Sequence, residues 1–470
     1  MKYKTITIAC LLVLSGCMTV PELESNRKIH LNNQIGKTEY SLSNNALFNV
    51  EQNNWWTIFN DKQLNSIIDE ILKNNRDLSI SELNIEKIDE LISLNKKNNN
   101  PQVELNGITQ KQQLSEHGFY PPPLAGSLID FSQISVKANL NLDLFGKNSA
   151  LVQEKKYQKE ALSLRKKATE LALTIQAVKL YGYWHYLNEQ EKITSEQIAY
   201  QEKIINLAKR KLSMGLTKID EPLITENILE SLKNAQLDII TNKKNTIDQL
   251  SKLVGKVDSN IEIYERDFLS TFEKVSPPKL INSSVIINKP EIGYYLFNIY
   301  AQEANLKALK SDFYPSFALT GEVGLQKIGF SNLLSSGNIF ANLGPAIHLP
   351  ILDSGRITTN YKIAGIDLNI FIENYNKSVI NSYFDLNSQL FTTKQTFETM
   401  NNQNKAFKND MKQLGLVISS YQLGKISFYD MLVKKNEFLN RKKQTINNHF
   451  MYFNSHIDLI NNMGGTIKLN

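Results

Sequence analysis

Cysteine and long apolar runs are the features that this 470-residue sequence has least of, and each scarcity excludes a class of protein. With 2 cysteines, it has neither a disulfide scaffold nor a cysteine-rich zinc site. No run of about 18 apolar residues occurs, so no transmembrane helix is encoded. The net charge of +6 is mild and evenly spread, which argues against a nucleic-acid-binding protein.

The N-terminus has the pattern of a targeting segment. Two lysines precede a short apolar run, Ile6 to Leu14, and Leu-Ser-Gly then leads to Cys17. This resembles a bacterial lipobox, in which residues 1–16 are a signal peptide and the Cys17 thiol takes a diacylglycerol. Met18 stands where an aspartate would signal inner-membrane retention, so the pattern favours an outer-membrane lipoprotein. The alternative is a core cysteine after a chance apolar run.

Three glycines recur at one constant spacing, which indicates an internal duplication. Gly146, Gly215 and Gly255 return 209 positions later as Gly355, Gly424 and Gly464. Further upstream the spacing becomes 214, because Pro101 then pairs with Pro315. We therefore predict two copies of one unit, each with the order helix, hairpin, long helix, shorter helix.

The duplication sets the predicted domain organisation. A lipid-anchored N-terminal segment precedes two repeats that an equatorial linker joins, and a short tail follows. The predicted segments are residues 17–56 (anchored segment), 57–256 (first repeat), 257–288 (linker), 289–464 (second repeat) and 465–470 (tail). The hairpins are predicted at about 102–145 and about 316–352.

Alternating apolar and polar residues predict four strands. Every second residue is apolar, or small, from Ile134 to Leu144, from Phe317 to Leu325 and from Ile339 to Ile351, and Val103 begins a weaker fourth run. This period of two puts the apolar side chains on one face. The runs are also about as long as a tilted strand needs to cross a bilayer. A half-buried sheet in a soluble sandwich explains the alternation but not the length.

Four strands cannot close a barrel, so these runs predict an oligomer. An open sheet in lipid would leave unpaired backbone groups at its edges, at several kcal/mol per group. A dimer would supply eight strands, which side chains fill, whereas a trimer would supply twelve and leave room for a pore. The trimer is favoured.

Two predicted helices are unusually long. They run from Ser149 to about Leu212 and from Ile357 to about Leu414, and each would span on the order of 90–100 Å. A heptad seam from Tyr157 to Val178 runs along the first. Helices of this length suit a tube that projects from a membrane better than a compact globule. The shorter predicted helices are about Gln63–Lys97, Pro222–Leu253, Glu291–Lys310 and Phe428–Asn461.

Several motifs, in this order and spacing, resemble one family over nearly the whole chain. The family is that of the TolC-like outer-membrane efflux factors, of the lipidated type related to NodT and OprM. The matching segments are the lipobox at Cys17, Trp55-Trp56-Thr57-Ile58-Phe59, Leu142-Asp143-Leu144-Phe145-Gly146-Lys147, Phe313-Tyr314-Pro315, Leu349-Pro350-Ile351-Leu352-Asp353-Ser354-Gly355-Arg356 and Tyr421-Gln422-Leu423-Gly424.

The resemblance implies a mainly helical fold with membrane β-structure. It implies a homotrimer with a twelve-stranded barrel in the outer membrane and a coiled-coil helical barrel in the periplasm. It also implies two protein partners, a periplasmic adaptor and an inner-membrane RND (resistance-nodulation-division) transporter, which supplies the energy. The chain itself would be no enzyme and would carry no cofactor beyond the lipid on Cys17.

The resemblance also assigns candidate functional residues to two turns, residues 213–222 and 422–430, called the tip turns below. Acidic residues there would ring a closed entrance, and the turns would dock the adaptor. The candidates are Asp430, Glu221, Asp220 and Tyr421 for the entrance, and Gly215, Leu216, Gly424 and Lys425 for docking. Ile426 departs from the family, whose best-known member has an arginine there, so an arginine lock is in doubt.

A plainer interpretation of the same acids stays open. Ser427 followed by Asp430 has the pattern of a capping box, and Asp220-Glu221-Pro222 has that of a helix N-terminus. Two other functions also stay open: the duct of a type I (ABC) secretion system, and a lipid-anchored coiled-coil spacer without a pore. The six histidines lack metal-ligand spacing, so no metal site is expected.

Overall fold

The computed structural model describes residues 20–23, 27–29, 54–257, 261–269, 275–278, 281 and 283–465. Cys17 and the predicted signal peptide lie outside the described residues, as does the tail after Gly465. The described chain forms long helices and one sheet in the predicted order. The helices are α1 Lys62–Asn74, α2 Arg76–Lys97, α3 Lys147–Ser213, α4 Glu221–Val254, α5 Pro290–Lys310, α6 Arg356–Gln422 and α7 Phe428–Asn462, and the strands are β1 Gln102–Gln113, β2 Leu128–Leu142, β3 Ser316–Ile328 and β4 Ile339–His348.

The two copies are built alike. Helices α3 and α6 both have 67 residues, and each ends two residues before a glycine of the repeat. That glycine terminates the helix because its backbone is left-handed, a conformation that costs other residues a steric penalty. All six glycines of the repeat have positive φ angles, which are 72° for Gly146, 68° for Gly215, 76° for Gly255, 81° for Gly355, 71° for Gly424 and 73° for Gly464.

The prediction of one helix over residues 63–97 is wrong, because Asn75 separates α1 from α2. The backbone of Asn75 is extended, and its Oδ1 accepts hydrogen bonds from the N–H groups of Asp77 (2.9 Å) and Leu78 (3.3 Å). Its Nδ2 donates to the Leu253 carbonyl oxygen over 2.8 Å. Asn75 therefore caps α2 and ties the break to the end of α4.

The ends of three other elements differ from the prediction. Helix α6 continues through Gly415 to Gln422, because a single glycine inside a helix costs only about 1 kcal/mol. Strand β4 ends at His348, two residues before Pro350, so Ile351 lies outside the sheet. β2 likewise ends at Leu142 rather than Leu144.

The four strands form one antiparallel sheet in the order β1-β2-β3-β4, in which β2 and β3 join the two hairpins. Val136 lies opposite Leu105 on one side and Val323 on the other, so apolar residues share a face. On the opposite face, Lys137 lies between Glu104 and Glu322. The sheet thus has one apolar and one polar face, and strands β1 and β4 are its edges.

The described chain divides into two compact units. The first contains the sheet and the described residues of Met1–Ile29, Asn84–Leu162 and Tyr294–Tyr375. In this unit an N-terminal segment lies along α6, where Arg27 Nη1 is 2.7 Å from Glu373 Oε1. Nearer its start, Leu23 fills the space above Gly365, since a Cβ there would lie 2.8 Å from Leu23 Cδ2.

The second unit contains His30–Leu83, Ser163–Gly293 and Asn376–Asn470, and its core is aromatic. Trp55 donates a hydrogen bond from Nε1 to Thr174 Oγ1 (3.1 Å), and Tyr181 donates to Asp61 Oδ2 (2.9 Å). Asp61 in turn caps α1 through its Oδ1 and pairs with Arg266 (2.8 Å). Trp55, Tyr181 and Asp61 therefore have partners for their polar atoms, which lets them pack in an apolar core. The described helices include none with the length and apolarity of a membrane span.

Two buried histidines in the second unit make its stability depend on pH. Burial lowers the pKa of His185 and of His456 from 6.5 to about 4. Both are therefore neutral when folded but take up a proton on unfolding below pH 6.5. Stability should be complete above about pH 6.5 and fall as the pH drops to about 4, by roughly 3 kcal/mol for each histidine.

Thermal denaturation across this pH range tests the prediction. The double variant His185→Gln, His456→Gln should lose less stability than the wild type between pH 6.5 and 4. Equal pH dependence in the two proteins would contradict it.

Candidate functional site

The two tip turns begin with the same backbone motif. After α3, the Leu216 N–H donates to the Lys211 carbonyl over 2.8 Å and the Gly215 N–H to that of Leu212 over 2.9 Å. After α6, Lys425 and Gly424 make the equivalent bonds to Ser420 and Tyr421, both over 2.9 Å. This is the Schellman arrangement that a left-handed glycine allows. Gly215 and Gly424 therefore fix the shape of both turns.

The turns differ in the side chains that they expose. Leu216 is 70 % exposed in the first turn, and Met214 and Ile219 beside it are also exposed. The equivalent of Leu216 in the second turn is Lys425, which is exposed too. At this equivalent position the first turn therefore exposes an apolar side chain, and the second exposes a lysine.

Asp430 is part of a helix cap. Ser427 precedes α7, and its Oγ accepts a hydrogen bond from the Asp430 N–H over 3.1 Å. The Ser427 hydroxyl then donates to Asp430 Oδ2 over 2.6 Å. The predicted capping role of Ser427 is therefore present, and Asp430 keeps an exposed carboxylate beside it.

Asp220 is placed differently. It stands at the N-cap position of α4, but its side chain makes no capping hydrogen bond and is exposed. Its backbone is helical rather than extended, which is not the geometry of a capping side chain. The capping alternative is thus wrong for the Asp220 side chain.

Glu221 connects the two tip turns. Its Oε1 accepts a hydrogen bond of 2.5 Å from the Tyr429 hydroxyl, and its Oε2 accepts one of 2.8 Å from Thr217 Oγ1. Lys211 Nζ lies 3.9 Å from the centre of the Tyr429 ring, a cation–π distance. These contacts join the start of α4 to the start of α7.

The electrostatics agree with this arrangement. The hydrogen bond from Tyr429 lowers the pKa of the Glu221 carboxyl, and that from Thr217 adds to the effect. Burial raises the pKa of Tyr429 to about 12, and the hydrogen bond to Glu221 contributes. At neutral pH a protonated phenol therefore donates to an ionised carboxylate, which is a strong type of hydrogen bond.

The remaining candidates take simpler positions. Tyr421 is 37 % exposed and packs against Phe428, with ring centres 5.5 Å apart. Ile426 packs beside the small buried cluster of Ile204, Met431 and Leu432, which is a position for an apolar side chain. The sequence did not predict the roles of Tyr429, Thr217 and Lys211. No local pattern marks them, because Tyr429 and Glu221 are 208 positions apart.

Within the described ranges, no cluster of three His, Cys, Asp or Glu side chains is arranged to hold a metal ion. The features that stand out are the repeat, the two-faced sheet and the paired tip turns.

Comparison with known proteins agrees with this geometry. The family model described as "Outer membrane efflux protein" matches residues 67–256 and 282–465, which is most of the chain. The chain belongs to the outer membrane efflux protein family. The predicted family and fold class, a duplicated, mainly helical chain with four strands, are confirmed.

Individual relatives are distant but match over almost their full length. The efflux protein is 21% identical to the probable outer membrane lipoprotein SilC of Salmonella typhimurium over 470 residues, which cover 99% of each chain. It is also 21% identical to the cation efflux system protein CusC of Escherichia coli K12, over 98% of this chain and 99% of CusC. The crystal structure of the Campylobacter jejuni CmeC outer membrane channel matches with a TM-score of 0.76 and 21% identity, over 95% of this chain and 94% of CmeC.

The efflux protein is thus an outer-membrane channel protein, as the sequence predicted, and the prediction of its location is confirmed. Members of this family conduct other molecules rather than transform them.

Proposed function

We propose that three copies of the efflux protein form a passive duct through the outer membrane and the periplasm. The duct would receive drugs or other small molecules from an inner-membrane RND transporter through a periplasmic adaptor. The observation that carries the proposal is the four-stranded sheet, which has one apolar face and two unpaired edges.

The edges set the stoichiometry. Strands β1 and β4 each expose backbone groups that lipid cannot satisfy, so β4 of one copy must pair with β1 of the next. Three copies give twelve strands, enough for an open lumen. The face with Val136 and Val323 would meet lipid, and the face with Lys137, Glu104 and Glu322 would line the lumen.

The tip turns would close the periplasmic end. In this proposal Asp430 and Asp220 present three exposed carboxylates each around the entrance, where like charges repel. The Tyr429–Glu221 hydrogen bond opposes that repulsion by holding α7 against α4. Gly215, Leu216, Gly424 and Lys425 would contact the adaptor, whose binding replaces these contacts and opens the duct.

The hydrogen bond between Tyr429 and Glu221 leads to a prediction about channel conductance. Tyr429→Phe keeps the ring and its contact with Lys211 but removes the donated hydrogen bond. Single-channel conductance in planar bilayers should rise several-fold, because one of the contacts that hold the tip closed is lost. Glu221→Gln retains an acceptor and should have a smaller effect.

Tyr264→Phe is the matched control, because Tyr264 is 70 % exposed and lies outside the tip turns. Its conductance should equal that of the wild type. A Tyr429→Phe channel as closed as the control would contradict the proposed role of this bond.

The lipid and the partners are proposed on the same basis. The relative SilC, which is named as a probable outer membrane lipoprotein, supports a lipid on Cys17. A photo-reactive amino acid at Lys425 tests the partners by cross-linking in cells. Capture of an adaptor together with an RND transporter supports the proposal, whereas capture of an ABC exporter would assign the duct to type I secretion. Capture of neither, with no trimer on unheated gels, would favour the anchored spacer.

A further inference from the structure

A cavity of about 720 Å³ lies where the sheet joins the long helices of the first unit. One wall is the last row of the apolar sheet face, in which Leu142, Phe317 and Ile347 lie side by side. The stacked rings of Phe145 and Tyr314, 4.8 Å apart, form another part of the wall. The cavity is thus continuous with the face that meets lipid in the proposed barrel.

The aromatic pair is exposed although it is apolar. Phe145 is 47 % exposed and Tyr314 is 38 % exposed, and Phe145 also lies 6.4 Å from the Phe317 ring. Exposed aromatic rings at the end of an apolar strand face are typical of the boundary between hydrocarbon and head groups. In the proposed barrel the cavity would therefore lie at the depth of lipid head groups.

Three charged side chains of the cavity wall already have hydrogen-bond or salt-bridge partners within the chain. Lys147 Nζ lies 2.6 Å from Asp312 Oδ1. Asp143 accepts hydrogen bonds from the N–H groups of Asn148 (3.0 Å) and Ser149 (2.8 Å), which caps α3.

Arg356, at the start of α6, differs from these residues. Its neighbour Asp353 uses its two carboxylate oxygens on the N–H groups of Gly355 (3.0 Å) and Ile357 (2.7 Å). The backbone hydrogen bond from Ile357 and, to a smaller extent, the charge of Arg356 lower the pKa of the Asp353 carboxyl. Among the residues that the structure describes, however, the exposed Arg356 guanidinium makes no side-chain hydrogen bond or salt bridge, so its N–H groups can donate to a ligand. A guanidinium binds phosphate oxygens in pairs, with two parallel hydrogen bonds.

We propose that this cavity binds a glycerophospholipid, with its phosphate on Arg356 and its acyl chains along Leu142, Phe317 and Ile347. The inference rests on the proposed function, because the trimer turns the apolar face toward lipid. The cation lies beside the apolar surface, just as the phosphate of a phospholipid lies beside its acyl chains. A bound lipid would fill the junction between sheet and helices in each copy.

Lipid retention tests the proposal. The full trimer is purified in mild detergent, and the co-purifying phospholipid is quantified by mass spectrometry of extracted lipid. Delipidated protein is then titrated with phosphatidylglycerol and phosphatidylethanolamine in mixed micelles. Arg356→Gln should bind about tenfold or more weakly than the wild type, because a charge-assisted bidentate contact is lost.

Two further variants distinguish lipid binding in the cavity from lipid binding elsewhere on the protein surface. Phe145→Ala should also weaken lipid binding, since it removes one ring of the aromatic pair. Lys377→Gln is the matched control, because it removes an exposed cation from the same helix, away from the cavity. Its lipid affinity should equal that of the wild type.

The outcomes decide between the possible occupants. Equal lipid binding by the wild type and Arg356→Gln, with trimers and conductance intact in both, overturns the lipid site but leaves the duct. Competition by inorganic phosphate at equal strength makes the site a free-anion site and also overturns the proposal. Cross-linking of a neighbouring copy by a photo-reactive amino acid that replaces Phe145, with no lipid retained, overturns it in favour of a subunit contact. Absence of trimers and of conductance in the wild type overturns the proposed function and this inference together.

Discussion

Gly182→Ala is expected to destabilise the core of the second unit by about 1–3 kcal/mol, although alanine favours helices. Gly182 lies inside α3 and faces Phe453, so that an added Cβ would lie 2.3 Å from Phe453 Cε1. Phe453 is fully buried and lies 5.6 Å from Phe268, so its ring has little room to move. Thermal denaturation of the detergent-solubilised protein measures the loss.

Gly415→Ala is the matched control for this change. Gly415 is also an interior helix position, in α6, but an added Cβ would meet no atom within 4 Å. The same substitution should therefore leave stability unchanged or raise it by up to about 1 kcal/mol. If both variants were more stable than the wild type, the prediction would be wrong, because the added Cβ at position 182 would then not clash with Phe453.

The double variant Phe384→Glu, Phe391→Glu is expected to abolish the trimer. Both phenylalanines are 65 % exposed, and Ile380, one turn before Phe384, is 54 % exposed. The three residues lie on one face of α6, because they are spaced by four and seven positions. Burial of such rings against a neighbouring copy would stabilise the trimer by about 2–3 kcal/mol for each ring.

Mass photometry and unheated gel electrophoresis measure the oligomer directly. Phe119→Glu is the control, because Phe119 is fully exposed in the loop between β1 and β2 and should not affect assembly. A double variant that remains as stable a trimer as the control would place the subunit interface on another helix face.

The repeat could be predicted from the sequence because its markers are local. Gly215 and Gly424 terminate their helices by backbone conformation alone, which depends on the residue itself rather than on distant packing. The strands were predicted for a similar reason, since an apolar face imposes a period of two on its own sequence. Local chemistry therefore determined most of the fold.

The missed features depend on distant contacts. Asn75 interrupts a helical pattern because its side chain bonds to Leu253, 178 positions later. The bond between Tyr429 and Glu221 likewise needs both copies to be folded. The entrance roles of Asp430 and Tyr421 remain predictions, because they depend on neighbouring copies of the chain.

The N-terminal segment along α6 limits where a lipid on Cys17 can enter a membrane. Leu23 lies on Gly365 and is six positions after Cys17, so the chain between them spans at most about 20 Å. Gly365 is itself about 14 Å along α6 from Arg356, where the sheet ends. With the proposed lipid on Cys17, the acyl chains would enter the leaflet beside the base of the sheet. In a trimer, three such short tethers would set the depth of the channel as well as its attachment.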